Sequence, residues 1–215
     1  MYKKKPFLIV FEGVEGCGKS YQSKKLKRNL KKKGIDTILT REPGGTRGAE
    51  SIRSLILKDY FNKGKEEKFD KHTDTLLYLA ARNEHIINVI KPALKNKKII
   101  ICDRFIDSTF AYQVYGKKVK KSFIENIHKS ILQNIKPNLT FILKASSKSS
   151  KLRLKKRKTK NRYDNFSQSF YTKAQKSFLK IAKNKKNYFI LDSSFNNNNL
   201  ENRIFKIVCK KLNLK

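Results

Sequence analysis

The sequence predicts an α/β protein whose parallel sheet carries helices on both faces, and two features predict it. Five short apolar or β-branched runs are separated by longer stretches whose apolar residues recur at intervals of three and four. The first of those runs opens directly into a glycine-rich loop ending in Lys-Ser, at the junction of a strand and a helix. Strands alternating with helices imply a parallel sheet buried on both sides, with ligands gathered at the carboxyl ends of the strands.

The first run is FLIVF, residues 7–11. Behind it, Gly13-Val14-Glu15-Gly16-Cys17-Gly18-Lys19-Ser20 fits G-x-x-x-x-G-K-[ST] in full, the P-loop pattern. Its glycines let backbone N–H groups curl around phosphates, and the following helix adds its positive end. Lys19 then reaches the β- and γ-phosphates, and Ser20 can hold Mg²⁺. An amphipathic helix follows at SKKLKRNLKKK (23–33), then a strand at DTILT (36–40). The segment TREPGGTRGAESIRSLIL (40–57) sets Arg41, Glu42, Pro43, Gly44 and Gly45 in a turn and Arg53 on the next helix.

In DTLLYLAARNEHIINVIKPAL (74–94), Tyr78 and Arg82 lie four apart on one helical face, so a ring and a guanidinium can address the same flat ligand. The third strand, KIIIC (98–102), leads into Asp103, a candidate Mg²⁺ holder. Arg104 follows where a Walker-type ATPase would usually carry a glutamate to polarise water. A kinase fits better, because its acceptor is a second phosphate that an arginine can steady. DRFIDSTFAYQ then adds Ser108, Thr109, Tyr112 and Gln113. After a fourth strand at LTFIL (139–143), KLRLKKRKTKNRYDN (151–165) sets Arg153 and Arg157 on one helical face, with Arg162 beyond. The last strand is NYFIL (187–191).

At 215 residues the chain suits one domain, 1–215, with no linker composition inside it. Cys17, Cys102 and Cys209 are odd in number, scattered and without zinc-site spacing, which predicts a reducing cytosol. The apolar run after the N-terminal lysines ends at Glu12, too short for a signal peptide or a membrane span. The net charge of +35 invites a polyanion partner, but Lys, Ile and Asn are abundant together, as A/T-rich codons supply them. Only ten of the 52 basic residues are arginine. Where Lys suffices as a point charge, a retained Arg marks a need for a planar, bidentate fork. The seven singled out above (41, 53, 82, 104, 153, 157, 162) follow the strand ends or sit on the helices next to them, which favours one anionic site. His72, His85 and His128 show no metal spacing and read as ordinary surface or core residues.

FEGVEGCGKS, TREPGGTRGAESIRSLIL, LLYLAARNEHIINVIKPAL, DRFIDSTFAYQ and LRLKKRKTKNRYD, in this order and spacing, resemble bacterial thymidylate kinase over essentially the whole chain. The resemblance implies a P-loop nucleoside-monophosphate-kinase-like fold on a five-stranded parallel sheet, in a homodimer. It implies ATP on residues 13–20 and dTMP opposite. Glu15 would face the sugar 3′-hydroxyl, and Arg53 and Arg104 would hold the acceptor phosphate. Tyr78 would stack on thymine and Arg82 would bond a base carbonyl, with Ser108, Thr109 and Gln113 completing the pocket. Tyr112 would crowd a 2′-hydroxyl. The basic run, about 153–165, would be a mobile lid supplying the arginine that this P-loop lacks, as in the bacterial subtype. Tyr78, Asn83, Glu84, Asp164 and Cys17 depart from the family's usual residues without removing a required charge.

The implied chemistry is phosphoryl transfer, in which Lys19, Arg104, a lid arginine and Mg²⁺ offset the repulsion between two anions. A phosphate oxygen is already a nucleophile, so no general base is demanded. Two alternatives stay open on the residues alone: a P-loop kinase for another nucleotide or nucleoside, and a nucleic-acid-binding ATPase.

Overall fold

The computed structural model describes residues 5–57, 69–157, 163, 167–195 and 198–214. Five strands, β1 (Phe7–Glu12), β2 (Thr37–Arg41), β3 (Ile99–Asp103), β4 (Leu139–Lys144) and β5 (Tyr188–Asp192), form one sheet in the order β2-β3-β1-β4-β5. Every neighbouring pair is parallel. The five apolar runs are therefore the five strands, each displaced by no more than a residue. β1 is central and buried on both faces. Leu8 and Val10 pack with Ile86, Ile90 and Phe105, whereas Ile9 and Phe11 pack with Leu26, Leu30 and Phe178. Phe11 stacks on Phe141 of β4 at 5.2 Å between ring centres.

The helices are α1 (Lys19–Lys32), α2 (Arg47–Leu57), α3 (Lys71–His85), α4 (Lys91–Lys95), α5 (Ile106–Thr109), α6 (Lys121–Leu132), α7 (Ser147–Lys155), α8 (Gln168–Ala182) and α9 (Asn198–Leu212). A π-helical turn, Ile86–Ile90, joins α3 to α4, so the stretch predicted as one helix over 74–94 is continuous but under-wound in its middle. A second π-helical segment, Phe110–Gly116, continues α5 and carries Tyr112 and Gln113 inward. Such bulges re-aim side chains without ending a helix, and they recur at functional sites.

The register fixes where the site forms. Phe11 pairs with Asp103, so the loop after β1 and the turn after β3 leave the sheet side by side, and Arg104 N donates to Phe11 O at 2.9 Å. Gly13 has a φ of 135°, and a Cβ there would stand 2.5 Å from Leu143 O. Only glycine fits that close approach of two backbone segments. α1 begins at Gly18 in the left-handed region, with no side-chain cap and no acidic residue in its first turn. Its first N–H groups thus remain available to an anion.

Candidate active site

A cavity of about 480 Å³ runs along the carboxyl edge of the sheet from the P-loop to the turn after β2. It gathers Glu15, Gly16, Gly18, Lys19, Ser20, Arg53, Tyr78, Arg82, Asp103, Arg104, Ser108, Thr109, Tyr112, Gln113, Arg153 and Arg157 from the sequence-predicted residues. Gly13, Val14 and Cys17 shape the loop from behind instead. Gly13 O accepts from Arg104 Nη1 at 2.9 Å, Val14 O accepts from Lys19 Nζ at 2.9 Å, and the Cys17 thiol is buried. Burial pushes the Cys17 thiol above its ordinary range, so it is an inert packing group. Arg162 and Asp164 lie outside the described residues.

On the P-loop side, Ser20 Oγ donates to Asp103 Oδ2, bringing a hydroxyl and a carboxylate together at the mouth of the loop. Among the described residues no three His, Cys, Asp or Glu side chains cluster as a metal cage. Two hard oxygen donors beside a phosphate-binding loop are what Mg²⁺ takes when it keeps its waters and phosphate ligands.

Arg104 is the hinge between the two halves of the cavity. Its φ of 72° is unusual for a non-glycine residue, and this backbone turns the side chain back toward the P-loop. Nη2 donates to Glu15 Oε1 at 2.8 Å and Nη1 to Ser108 Oγ at 3.0 Å, and the guanidinium lies 5.2 Å from the Tyr112 ring centre. Burial alone would lower its pKa, but Tyr112, Glu15, Glu12 and Asp103 hold it well above its ordinary value. Glu15 also accepts from Tyr112 Oη at 2.6 Å, so one carboxylate ties loop, arginine and tyrosine together.

Arg82 is buried and almost fully engaged. Nε donates to Glu42 Oε2 at 2.7 Å, and Nη1 donates to Thr109 Oγ1 at 2.6 Å and to His128 Nε2 at 2.8 Å. Nη2 donates to Phe105 O at 2.8 Å. Glu42 closes a second ring with His85 Nδ1 at 3.0 Å, and His85 Nε2 meets Thr40 Oγ1 at 2.7 Å. Burial alone would raise the Glu42 pKa, but Arg82 and His85 hold it below the ordinary carboxylate range. His85 and His128 are core residues, as the sequence suggests, yet both belong to the framework around this arginine. Gln113 lines the same cavity, and among the described residues its buried Nε2 has no hydrogen-bond partner.

Two site residues escape the sequence reading. Tyr163 lines the cavity, its hydroxyl meeting that of Tyr78 and its ring standing edge-on to Tyr112 at 5.7 Å. Glu12, the last residue of β1, accepts from Phe105 N at 2.8 Å and Ser108 N at 3.2 Å through Oε1, and from Ser108 Oγ at 2.6 Å through Oε2. A carboxylate closing an apolar strand was its only signal. Burial and the nearby Asp107 push Glu12 from 4.5 up to about 8. Between those two values the folded chain holds a proton that the unfolded chain has released, so stability falls as pH rises through that window. Glu12→Gln is therefore expected to flatten the pH dependence of the melting temperature between about pH 5 and 8. Melting curves that keep the wild-type slope would show that another group sets it.

The two arginines of the basic run separate as well. α7 ends at Lys155, so Arg153 and Arg157 do not share one helical face as their spacing predicts, although both line the cavity. Arg153 donates to the carbonyls of Gly16 at 3.2 Å and Ser193 at 2.7 Å, tying the loop to the end of β5. Arg157 sits in the turn beyond, its N–H bonded to Leu154 O at 3.1 Å.

A phosphate-binding loop and an arginine-lined second compartment in one cleft define a P-loop kinase that acts on a small phosphorylated acceptor. Comparison with known proteins narrows the class. The sequence profile described as thymidylate kinase matches residues 11–204. The chain is 36% identical over 207 residues to the thymidylate kinase of Mycoplasma capricolum, covering 95% of each protein. It is 40% identical over 208 residues to that of Aster yellows witches'-broom phytoplasma, again covering 95% of each. The crystal structure of thymidylate kinase from Ehrlichia chaffeensis superposes with a TM-score of 0.74 at 30% identity, over 95% of this chain and 99% of that one. The chain belongs to the thymidylate kinase family, enzymes that phosphorylate dTMP to dTDP with ATP as donor.

Proposed function

We propose that residues 13–20 hold the ATP phosphates and that the compartment between Arg53, Tyr78, Arg82 and Gln113 holds dTMP. The observation that carries this reading is the continuity of the two in one cavity, with Arg104 at their junction. Lys19 offsets charge on the donor phosphates, Arg53 and Arg104 hold the acceptor phosphate, and Arg157 bridges the transferring group. Ser20 and Asp103 would hold Mg²⁺, which supplies positive charge to the donor phosphates when bound. Transfer needs the two anions aligned and their charge compensated, and these side chains provide both.

On the base side, Tyr78 offers a ring, Arg82 and Gln113 offer donors, and Tyr112 under the deoxyribose crowds a 2′-hydroxyl. Glu15 is the acceptor for the 3′-hydroxyl. A coupled ADP-release assay across the common monophosphates tests the assignment. dTMP and dUMP should be used, and dCMP should fall by roughly 10²-fold in kcat/KM, because its amino group would face a donor. Guanosine and ribose nucleotides should be poor as well. Equal efficiency with dCMP would sink the reading of Arg82.

A single domain acting as a homodimer in the cytoplasm completes the proposal. Leu76 and Ile87 lie eleven residues apart along the continuous helix through α3, both more than 40% exposed. An apolar stripe of that kind suits a second copy of the chain. Among the described residues no helix is long and apolar enough to cross a membrane. Nucleic acid is not required: turnover should be indifferent to added DNA despite the charge of +35.

A further inference from the structure

His128 stands on α6, away from every motif that the sequence displays, yet its imidazole is built into the base compartment. It is 5% exposed, and Phe110 packs edge-on to it at 5.7 Å. Its Nε2 lies 2.8 Å from Arg82 Nη1. A guanidinium can only donate, so Nε2 is the acceptor and the ring proton sits on Nδ1. Burial and the Arg82 charge hold the imidazolium down to about 3, so the ring is a neutral acceptor throughout any ordinary assay range.

The consequence appears in the donor count of Arg82. Of its five N–H groups, Nε–H goes to Glu42, the two on Nη1 go to Thr109 and His128, and one on Nη2 goes to Phe105 O. Among the described residues the other Nη2 proton meets no acceptor, and Arg82 lines the cavity where a ligand could take it. We propose that His128 is a positioning residue for base discrimination: by occupying the second Nη1–H it fixes the guanidinium so that a single donor, in one direction, meets the base. This rests on the reading of Arg82 given above. Without the acceptor, a buried Nη1–H would lose its partner and the fork would pivot toward another oxygen, including one on the ligand. A pivoted fork no longer distinguishes a carbonyl from an amino group at one edge.

The test uses full-length His128→Leu and His128→Gln, with kcat and KM for dTMP and dCMP and a melting curve for each. His128→Leu should raise the KM for dTMP roughly tenfold with kcat changed less than about twofold, and should narrow the dTMP-to-dCMP preference by a similar factor. His128→Gln, whose carbonyl oxygen reaches about as far as Nε2, should restore both. If His128→Leu does not fold, His128→Phe, a flat ring with no acceptor, takes its place under the same expectations. A lowered melting temperature with unchanged preference, or a Gln variant no better than Leu, would overturn the proposal and leave His128 a packing residue. Arg82→Lys separates the two readings. If it keeps the dTMP preference, the assignment of Arg82 fails; if it abolishes the preference while His128→Leu does not, only the role of His128 fails.

Discussion

Lys19→Ala is expected to leave a folded protein whose phosphoryl transfer is about 10²- to 10³-fold slower, the loss seen when one preorganised charge or donor is removed from a developing anion. In the structure the ammonium spends its hydrogen bonds inside the loop, on Val14 O at 2.9 Å and the Cys17 sulfur at 3.7 Å. Neither bond crosses between elements, so removing them costs about 1 kcal/mol of stability, a small part of a domain's total. The aliphatic stem is the part that packs, and Lys19→Met, which keeps it, separates lost packing from lost charge. Both variants should melt near the wild type and both should be slow in the ADP-release assay. Near-normal turnover by either would overturn the assignment of residues 13–20.

The sequence displays what repeats locally. Each strand can be read within one residue because β1, β3 and β4 are apolar almost throughout, as a parallel sheet covered on both faces requires. The P-loop is legible because its backbone conformation demands glycine at fixed offsets. The framework around Arg82 is illegible for the opposite reason. Glu42 lies 40 residues from Arg82 and His128 lies 46, and no periodicity in a sequence links side chains that distant. His85 and His128 therefore carry no pattern beyond their own helices. The end of α7 is likewise hidden: LRLKK continues a helical spacing without glycine or proline, and the structure stops it at Lys155. Glu12 and Tyr163 join the site only because strand register and the packing of α8 bring them to it. The retained arginines were a better guide than spacing, since Arg53, Arg82, Arg104, Arg153 and Arg157 all line one cavity.

Arg153 and Arg157 can be told apart by experiment on the same grounds. Arg157→Lys keeps a positive charge and removes the planar fork, so if Arg157 clamps the transferring phosphoryl group, kcat should fall by about 10²-fold or more while the KM for ATP changes little. Arg153→Lys should behave differently. Its fork is occupied by the backbone carbonyls of Gly16 and Ser193, so its loss loosens the floor of the nucleotide site and should appear in the KM for ATP. Lys156 lines the cavity, which makes exposed Lys155 the better control, and Lys155→Ala should be nearly silent. Single-turnover measurements with saturating ATP isolate the transfer step in all three variants. If Arg153→Lys slows that step and Arg157→Lys does not, the roles are exchanged. If all three match the wild type, the basic run is solvated surface, and the positive charge for transfer comes from Lys19 and Arg104 alone.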